Sequence, residues 1–207
     1  MRNPYQIADR YAPGAKEDVQ TILANLALRV CSFDEINQPA VQREVREAFL
    51  RINTRMKRRY RRVIEKTYAQ HGIPLTRNEI NLLLLALLRK LDPTMGYRFD
   101  RELTRKRDRL TESILSNPRR QEIRRNIKKA LPNLELQTVQ FLDIAVDDSH
   151  LDAMRRQGVK HVMWVTEGDE RVCATCDERN GNIYSINSVP PKPHPRCRCT
   201  LEPVSDT

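Results

Sequence analysis

Cysteine and histidine side chains are concentrated near the C-terminus of this 207-residue chain. Four of its five cysteines and one of its four histidines fall between positions 173 and 199. They form a Cys-x-x-Cys pair, Cys173 and Cys176, followed by His194, Cys197 and Cys199. A tetrahedral Zn²⁺ takes four ligands of these types. The sequence therefore predicts a structural Zn²⁺ site in this region, with five candidate ligands.

Short segments with strand character surround these ligands. Residues 160–166 are rich in β-branched and aromatic side chains. An Asn-Gly turn at Gly181 precedes a second segment at 182–186, and a third is expected at Thr200–Val204. A sheet of this size buries too little apolar surface to be stable alone. A structural zinc ion, which contributes roughly 10–16 kcal/mol of apparent binding energy, would supply the missing cohesion.

The favoured ligand set is Cys173, Cys176, His194 and one of Cys197 or Cys199, with the other cysteine as a nearby thiol. Unbonded thiols and two disulfides are the alternatives. The N-terminus is polar and carries no secretory signal, so we expect a cytoplasmic chain, in which disulfides are disfavoured. No general base stands beside the ligands in the sequence, and a bound metal is therefore expected to be structural.

The order of motifs in this region extends beyond the metal ligands. Trp164 begins a run that passes through Asp169 into the Cys-x-x-Cys pair, and a Gly-aromatic turn follows at Gly181. The run ends in His-Pro-Arg-Cys-Arg-Cys. This combination resembles the C-terminal domain of phage minor head proteins, the head morphogenesis family that includes the F protein of phage Mu. The resemblance covers about residues 138–204, but the Arg-Thr-Glu stretch that often precedes the tryptophan strand in that family is missing.

The resemblance implies a structural, non-enzymatic protein of the virion. Such a protein is assembled in the bacterial host cytoplasm, associates with the portal and other head or neck proteins, lies at the capsid interior or neck, and assists head assembly. Trp164, Asp169 and Gly181 would have structural roles in its C-terminal domain.

A zinc-knuckle nuclease and a DNA-binding protein acting on phage DNA are the alternative functions. The nuclease is disfavoured because no His-His or Asp-His pair accompanies the ligands. The Cys-x-x-Cys pair and the segment 194–199 together form what we call the knuckle. The DNA-binding protein is disfavoured because acidic residues crowd this knuckle. The remaining histidines, expected at the surface or at helix ends, are His71, His150 and His161.

The rest of the chain is predicted to be helical, which indicates a mainly α fold with a small α+β C-terminal module. We expect a helical domain at 1–135 and a C-terminal domain at 136–207. Pro13 should precede the first helix, Pro132 should end the fifth, and the leucine-rich third helix should be the buried hub. The predicted helices are 16–30, Gln38–Gln70, 75–91, 99–115, 118–131 and 136–157. The apolar stripe of the second is Val41, Val45, Phe49, Ile52, Met56, Tyr60, Val63 and Thr67.

Two clusters of basic residues lie on the predicted helices. The net charge of +10 favours a polyanionic partner, and a row of cations along a helix can follow a phosphate backbone. Packaged double-stranded DNA is the expected partner, with an acidic protein surface and plain solvation as alternatives. No base-reading motif is present, so DNA contact would be independent of sequence. No hydrophobic run approaches the roughly 20 residues of a membrane span. The clusters are Lys57, Arg58, Arg59, Arg61 and Arg62, and Arg124, Arg125, Lys128 and Lys129.

Overall fold

A computed structural model describes residues 3–91, 96–168 and 172–204. These residues form a helical assembly followed by a small antiparallel sheet, which confirms the predicted mainly α fold with a C-terminal sheet. None of the described helices is both long enough and apolar enough to cross a membrane. The elements are α1 (Tyr5–Cys31), α2 (Gln38–Gln70), α3 (Arg77–Arg89), α4 (Phe99–Ser116), α5 (Arg120–Arg156), β1 (His161–Val165), α6 (Ala174–Arg179), β2 (Ile183–Ser185) and β3 (Thr200–Val204).

Helix α2 is the centre of the helical part, since α1, α3, α4 and α5 all contact it. The side chain of Asn37 caps it by accepting a hydrogen bond from the backbone N–H of Ala40 at 3.0 Å. Its bounds are those predicted, and every member of the predicted apolar stripe is buried. Tyr60 on this stripe meets Phe99 of α4 edge to face, with ring centroids 5.4 Å apart. The 3.6-residue periodicity therefore identified this helix and its buried face correctly.

The prediction that the leucine-rich helix is the hub is wrong. In α3 only one face is buried, through Leu84, Leu87 and Leu88. Leu82 on the other face is 67% exposed and Leu85 is 48% exposed. Consecutive leucines point around the whole circumference of a helix, and α3 has neighbours on one side only.

The first helix begins earlier than predicted, at Tyr5, and contains Pro13. Gly14 does not end the helix but makes room for a neighbour: a Cβ atom at Gly14 would lie 2.7 Å from a guanidinium nitrogen of Arg59. That guanidinium forms an ion pair with Asp18, one turn along α1, at 2.6 Å. This packing against α2 outweighs the local signals that favoured a break.

Pro132 also lies inside a helix, so the predicted break between 118–131 and 136–157 is wrong. The ring of Pro132 is exposed, and a lost backbone hydrogen bond on that side of α5 can be replaced by water. Ile127 before it and Leu134 after it are buried in the same helical core. Position 135 therefore lies within one continuous helix, and the division into domains at 1–135 and 136–207 stays a prediction.

The sheet has the order β2-β1-β3, with both neighbours antiparallel to the central strand β1. Trp164 of β1 is opposite Leu201 of β3. The strands lie at the three predicted positions; β1 and β2 are slightly shorter than predicted, and β3 has the predicted bounds. Val162 of β1 and Ile186 form a buried cluster with Met154 at the end of α5. This cluster places the sheet against the end of the longest helix.

Candidate metal centre and basic surfaces

The five candidate metal ligands come from two short segments beside the sheet. Cys173 is the N-cap of α6 and Cys176 lies in its first turn, where the backbone N–H of Cys176 donates to the carbonyl of Cys173 at 2.9 Å. This six-residue helix was not predicted. His194, Cys197 and Cys199 lie on the irregular segment that leads into β3. The geometry therefore brings all five predicted ligands to one side of the small sheet.

The ligand atoms form two triads that share one cysteine. Cys173, Cys176 and His194 form the first, and Cys176, Cys197 and Cys199 form the second, with the ligand atoms of each triad within 4.8 Å of one another. The Sγ atoms of Cys176 and Cys197 are 3.5 Å apart. All five cysteines of the chain are free thiols. Cys176 is therefore the geometric centre of the cluster.

The environment of these thiols favours a cation among them. Cys176, Cys197 and Cys199 are buried, and burial raises the pKa of the first two. By contrast, a hydrogen bond from the backbone N–H of Cys176 lowers the pKa of the Cys173 thiol. Buried thiols ionise readily only when a positive charge compensates them, and a coordinated metal ion supplies that charge.

A cavity of about 480 Å³ adjoins the cluster and has a wall from the start of α1. Tyr5 and Asp9 of α1 line it together with Cys173 and His194. The hydroxyl of Tyr5 hydrogen-bonds to Asp147 of α5 and lies 3.3 Å from the carbonyl of Cys199. The N-terminal helix therefore contacts the knuckle directly, a feature missed when the first helix was predicted to begin at residue 16.

Two arginines in the terminal motif attach the knuckle to the helices. Arg196 adopts a positive φ of 62°, which is unfavourable for a non-glycine residue. Its backbone N–H donates to Gln140 and its guanidinium to Asp143, both at 2.9 Å. Burial raises the pKa of Asp143 to about 6, although both arginines act against this rise. Arg198 forms an ion pair with Asp9 of α1.

Trp164 fills the small core beneath the candidate ligands. It is 1% exposed and clusters with Cys176, Cys197 and Cys199. Gly181 has a φ of +77°, which glycine adopts without strain, and donates its backbone N–H to the carbonyl of Trp164 at 2.8 Å. The third predicted structural residue, Asp169, lies outside the described residues.

A pair of histidines links α2, α5 and β3. Nε2 of His71 lies 2.8 Å from Nδ1 of His150, and Nε2 of His150 lies 2.9 Å from the carbonyl of Leu201. Because a carbonyl only accepts, Nε2 of His150 donates to the carbonyl of Leu201. His150 is buried within α5, so its predicted position at the surface or at a helix end is wrong, and burial lowers its pKa. His71 caps the end of α2, as expected.

The two predicted basic clusters differ in their exposure. Arg124, Arg125, Lys128 and Lys129 are all exposed on α5. On α2, Arg58, Arg61 and Arg62 are exposed, Lys57 is half-buried, and Arg59 is held by its ion pair with Asp18. Both clusters stay candidate surfaces for nucleic acid or protein partners, with Arg59 the member least available to a partner.

The comparisons with known proteins identify one family. The family model for phage Mu protein F-like proteins matches residues 106–202, just under half of the chain, from within α4 into β3. The match includes the sheet and all five candidate ligands, and it begins earlier than the resemblance seen in the sequence. No curated protein and no solved structure matches this chain significantly. The C-terminal half of the chain is therefore similar to phage Mu protein F-like proteins, in agreement with the resemblance seen in the sequence.

Proposed function

We propose that this chain is a minor head protein of a tailed phage, associated with the portal at the capsid interior or neck and assisting head assembly. The family match over residues 106–202 carries the proposal, because it covers the sheet, the knuckle and most of the two helices before them. The family type is structural rather than enzymatic, in agreement with a role in the virion. Partners of this function are the portal protein and other head or neck proteins.

We further propose that the knuckle holds one structural Zn²⁺. The donors are thiols and an imidazole, which this ion prefers. In a tetrahedral site with Zn–S bonds of about 2.3 Å, neighbouring sulfur atoms are about 3.8 Å apart. The 3.5 Å separation of the Cys176 and Cys197 sulfurs is close to that value and much longer than a disulfide bond of about 2.05 Å. The favoured ligands are Cys173, Cys176, His194 and one of Cys197 or Cys199.

Metal binding would fix the docking surface of the module. The segment 194–199 bears three of the ligands and also the arginines that contact α1 and α5. Constraining this segment therefore constrains its attachment to the helices. We propose that the resulting rigid module docks on the portal or a neighbouring head protein, because a rigid surface loses little entropy on binding.

The exposed basic clusters of α2 and α5 are the proposed contact surfaces for packaged double-stranded DNA or acidic head proteins. The positive net charge supports a polyanionic partner. No base-reading element was found in the sequence, so the proposed DNA contact is with the phosphate backbone.

Complementation in the encoding phage tests this function. A phage with a stop codon in this gene should produce defective heads, and wild-type protein supplied in trans should restore them. Cys176→Ser should fail to restore them, whereas the matched change Cys31→Ser, at a buried cysteine remote from the knuckle, should succeed. Normal heads and infectivity without the protein would refute the assembly role.

A further inference from the structure

We propose that the groove between α4 and α5 binds the phosphate backbone of nucleic acid, through residues on α4 that no motif had singled out. The groove is walled by Arg105, Lys106 and Arg109 on α4 and by Lys129 on α5. Its volume is about 360 Å³. The inference deepens the proposed function, on which it rests for the identity of the nucleic acid as packaged DNA.

The local charge supports an anionic ligand. Residues 98–133, which we call the α4–α5 hairpin, contain twelve Lys and Arg against five Asp and Glu. Glu102, the acidic residue that lines the groove, is 5% exposed and held by Arg105 through two hydrogen bonds of 2.6 Å. Its charge is therefore already matched within the protein, and the other groove cations are left in excess.

Lys106 lies between the two walls of the groove. Burial lowers its pKa, and the charges of Arg105 and Arg109 lower it further although Glu102 acts in the opposite direction. Its ammonium donates to the carbonyl of Asn133 on α5 at 2.9 Å, so the lysine bridges the two helices at the floor of the groove. A phosphate held above it would be close to cations from both walls.

The spacing of the exposed cations suits an extended polyanion. Arg101, Arg105 and Arg109 recur every fourth residue and are all exposed. Each step along the helix is about 6 Å, so the three form a row along one side of α4. Arg125 and Lys129 form a similar row on α5. Such rows fit repeated phosphates better than a single small anion.

The hairpin suits nucleic acid better than a protein partner. Protein interfaces have apolar and aromatic centres, whereas interfaces with DNA are polar and strongly positive. The large apolar side chains exposed among the described residues, such as Leu82 and Leu85 of α3, all lie outside residues 98–133. A partner on this hairpin would therefore meet cations without an apolar centre.

Binding of the full-length protein to fluorescent 30-base-pair duplexes of two unrelated sequences tests the groove. The test variant is Arg109→Gln with Lys129→Gln, because neither side chain forms an ion pair with the described residues. The control is Arg77→Gln with Arg89→Gln, which removes the same charge from exposed positions on α3, outside the proposed DNA-contact surfaces. Circular dichroism confirms that each variant is folded.

The groove variant should bind both duplexes about tenfold more weakly at 0.1 M salt. The negative slope of log K against log salt should become shallower by about 2. The control should lose clearly less affinity. Equal losses in the two variants, or no binding by the wild type, would overturn the proposal. The proposal would also be overturned if the groove variant kept its affinity for both duplexes but lost affinity for poly-glutamate, because the groove would then be a site for an acidic protein. Any of these results leaves the head-protein function open to its own test by complementation.

Discussion

Replacing Cys176 with serine should damage the metal centre more than replacing any other cysteine in the cluster. Cys176 belongs to both ligand triads, so its loss leaves neither triad complete. Cys197 and Cys199 are both within reach of Cys176, and either can take the fourth position if the other is replaced.

The expected magnitude follows from dividing the apparent binding energy of a structural zinc among its ligands. About 10–16 kcal/mol shared by four ligands is about 3 kcal/mol each, or roughly two orders of magnitude in affinity. Cys176→Ser should therefore weaken zinc binding at least a hundredfold. Cys197→Ser and Cys199→Ser should each weaken it less than tenfold, because the remaining cysteine substitutes.

Competition with a chromophoric chelator measures these affinities directly. Trp164 provides a second signal, because it is the sole tryptophan and lies against the cysteine cluster. On Cys176→Ser its fluorescence should shift toward that of an exposed indole while the helical circular dichroism persists. If Cys176→Ser and Cys197→Ser retain zinc equally well, the shared-ligand geometry is wrong.

Three further predictions concern packing and pH. Trp164→Ala should destabilise the C-terminal module by about 3–5 kcal/mol in urea unfolding, and a loss below 1 kcal/mol would contradict its role as the core of that module. Leu88→Ala should lower the free energy of unfolding by about 2–5 kcal/mol, whereas Leu82→Ala on the exposed face of α3 should change it by less than about 0.5 kcal/mol. Similar losses in the two variants would indicate that both faces of α3 are buried. Burial lowers the pKa of His150 in the folded state, so the unfolded state takes up a proton at this histidine more readily. The contribution of the buried neutral His150 to stability is therefore present above about pH 6.5 and is lost as the pH falls below that value. Thermal unfolding at pH 7.5 and 5.5 should show a smaller loss for His150→Gln than for wild type, and an equal loss would refute this assignment.

Local patterns predicted the parts of the fold that one element specifies by itself. The periodic stripe of α2 fixed both its bounds and its buried face, because the side chains of one face recur every 3.6 residues. The cysteine and histidine side chains that the fold brings together as candidate ligands were also identified from their spacing. Gly181 was identified from a turn signal that requires a positive φ.

Contacts between distant segments decided the features that the sequence did not predict. Pro13 is accommodated within α1, where Arg59 from α2 packs against the neighbouring Gly14. Leucine content indicated that α3 is apolar but not how much of its surface its neighbours would cover. The knuckle is attached to the helices through the contacts of Tyr5 with Cys199 and of Asp143 with Arg196. The two residues of each contact are more than fifty positions apart in the sequence, and no local pattern marks such pairs.

Quantitative mass spectrometry of purified particles from the encoding phage, with portal-containing subassemblies measured separately, tests the central claim most directly. The account predicts that this chain is present in mature particles at a low, fixed ratio to the portal protein and is enriched in the subassemblies. Its absence from both would contradict the assignment as a structural head protein.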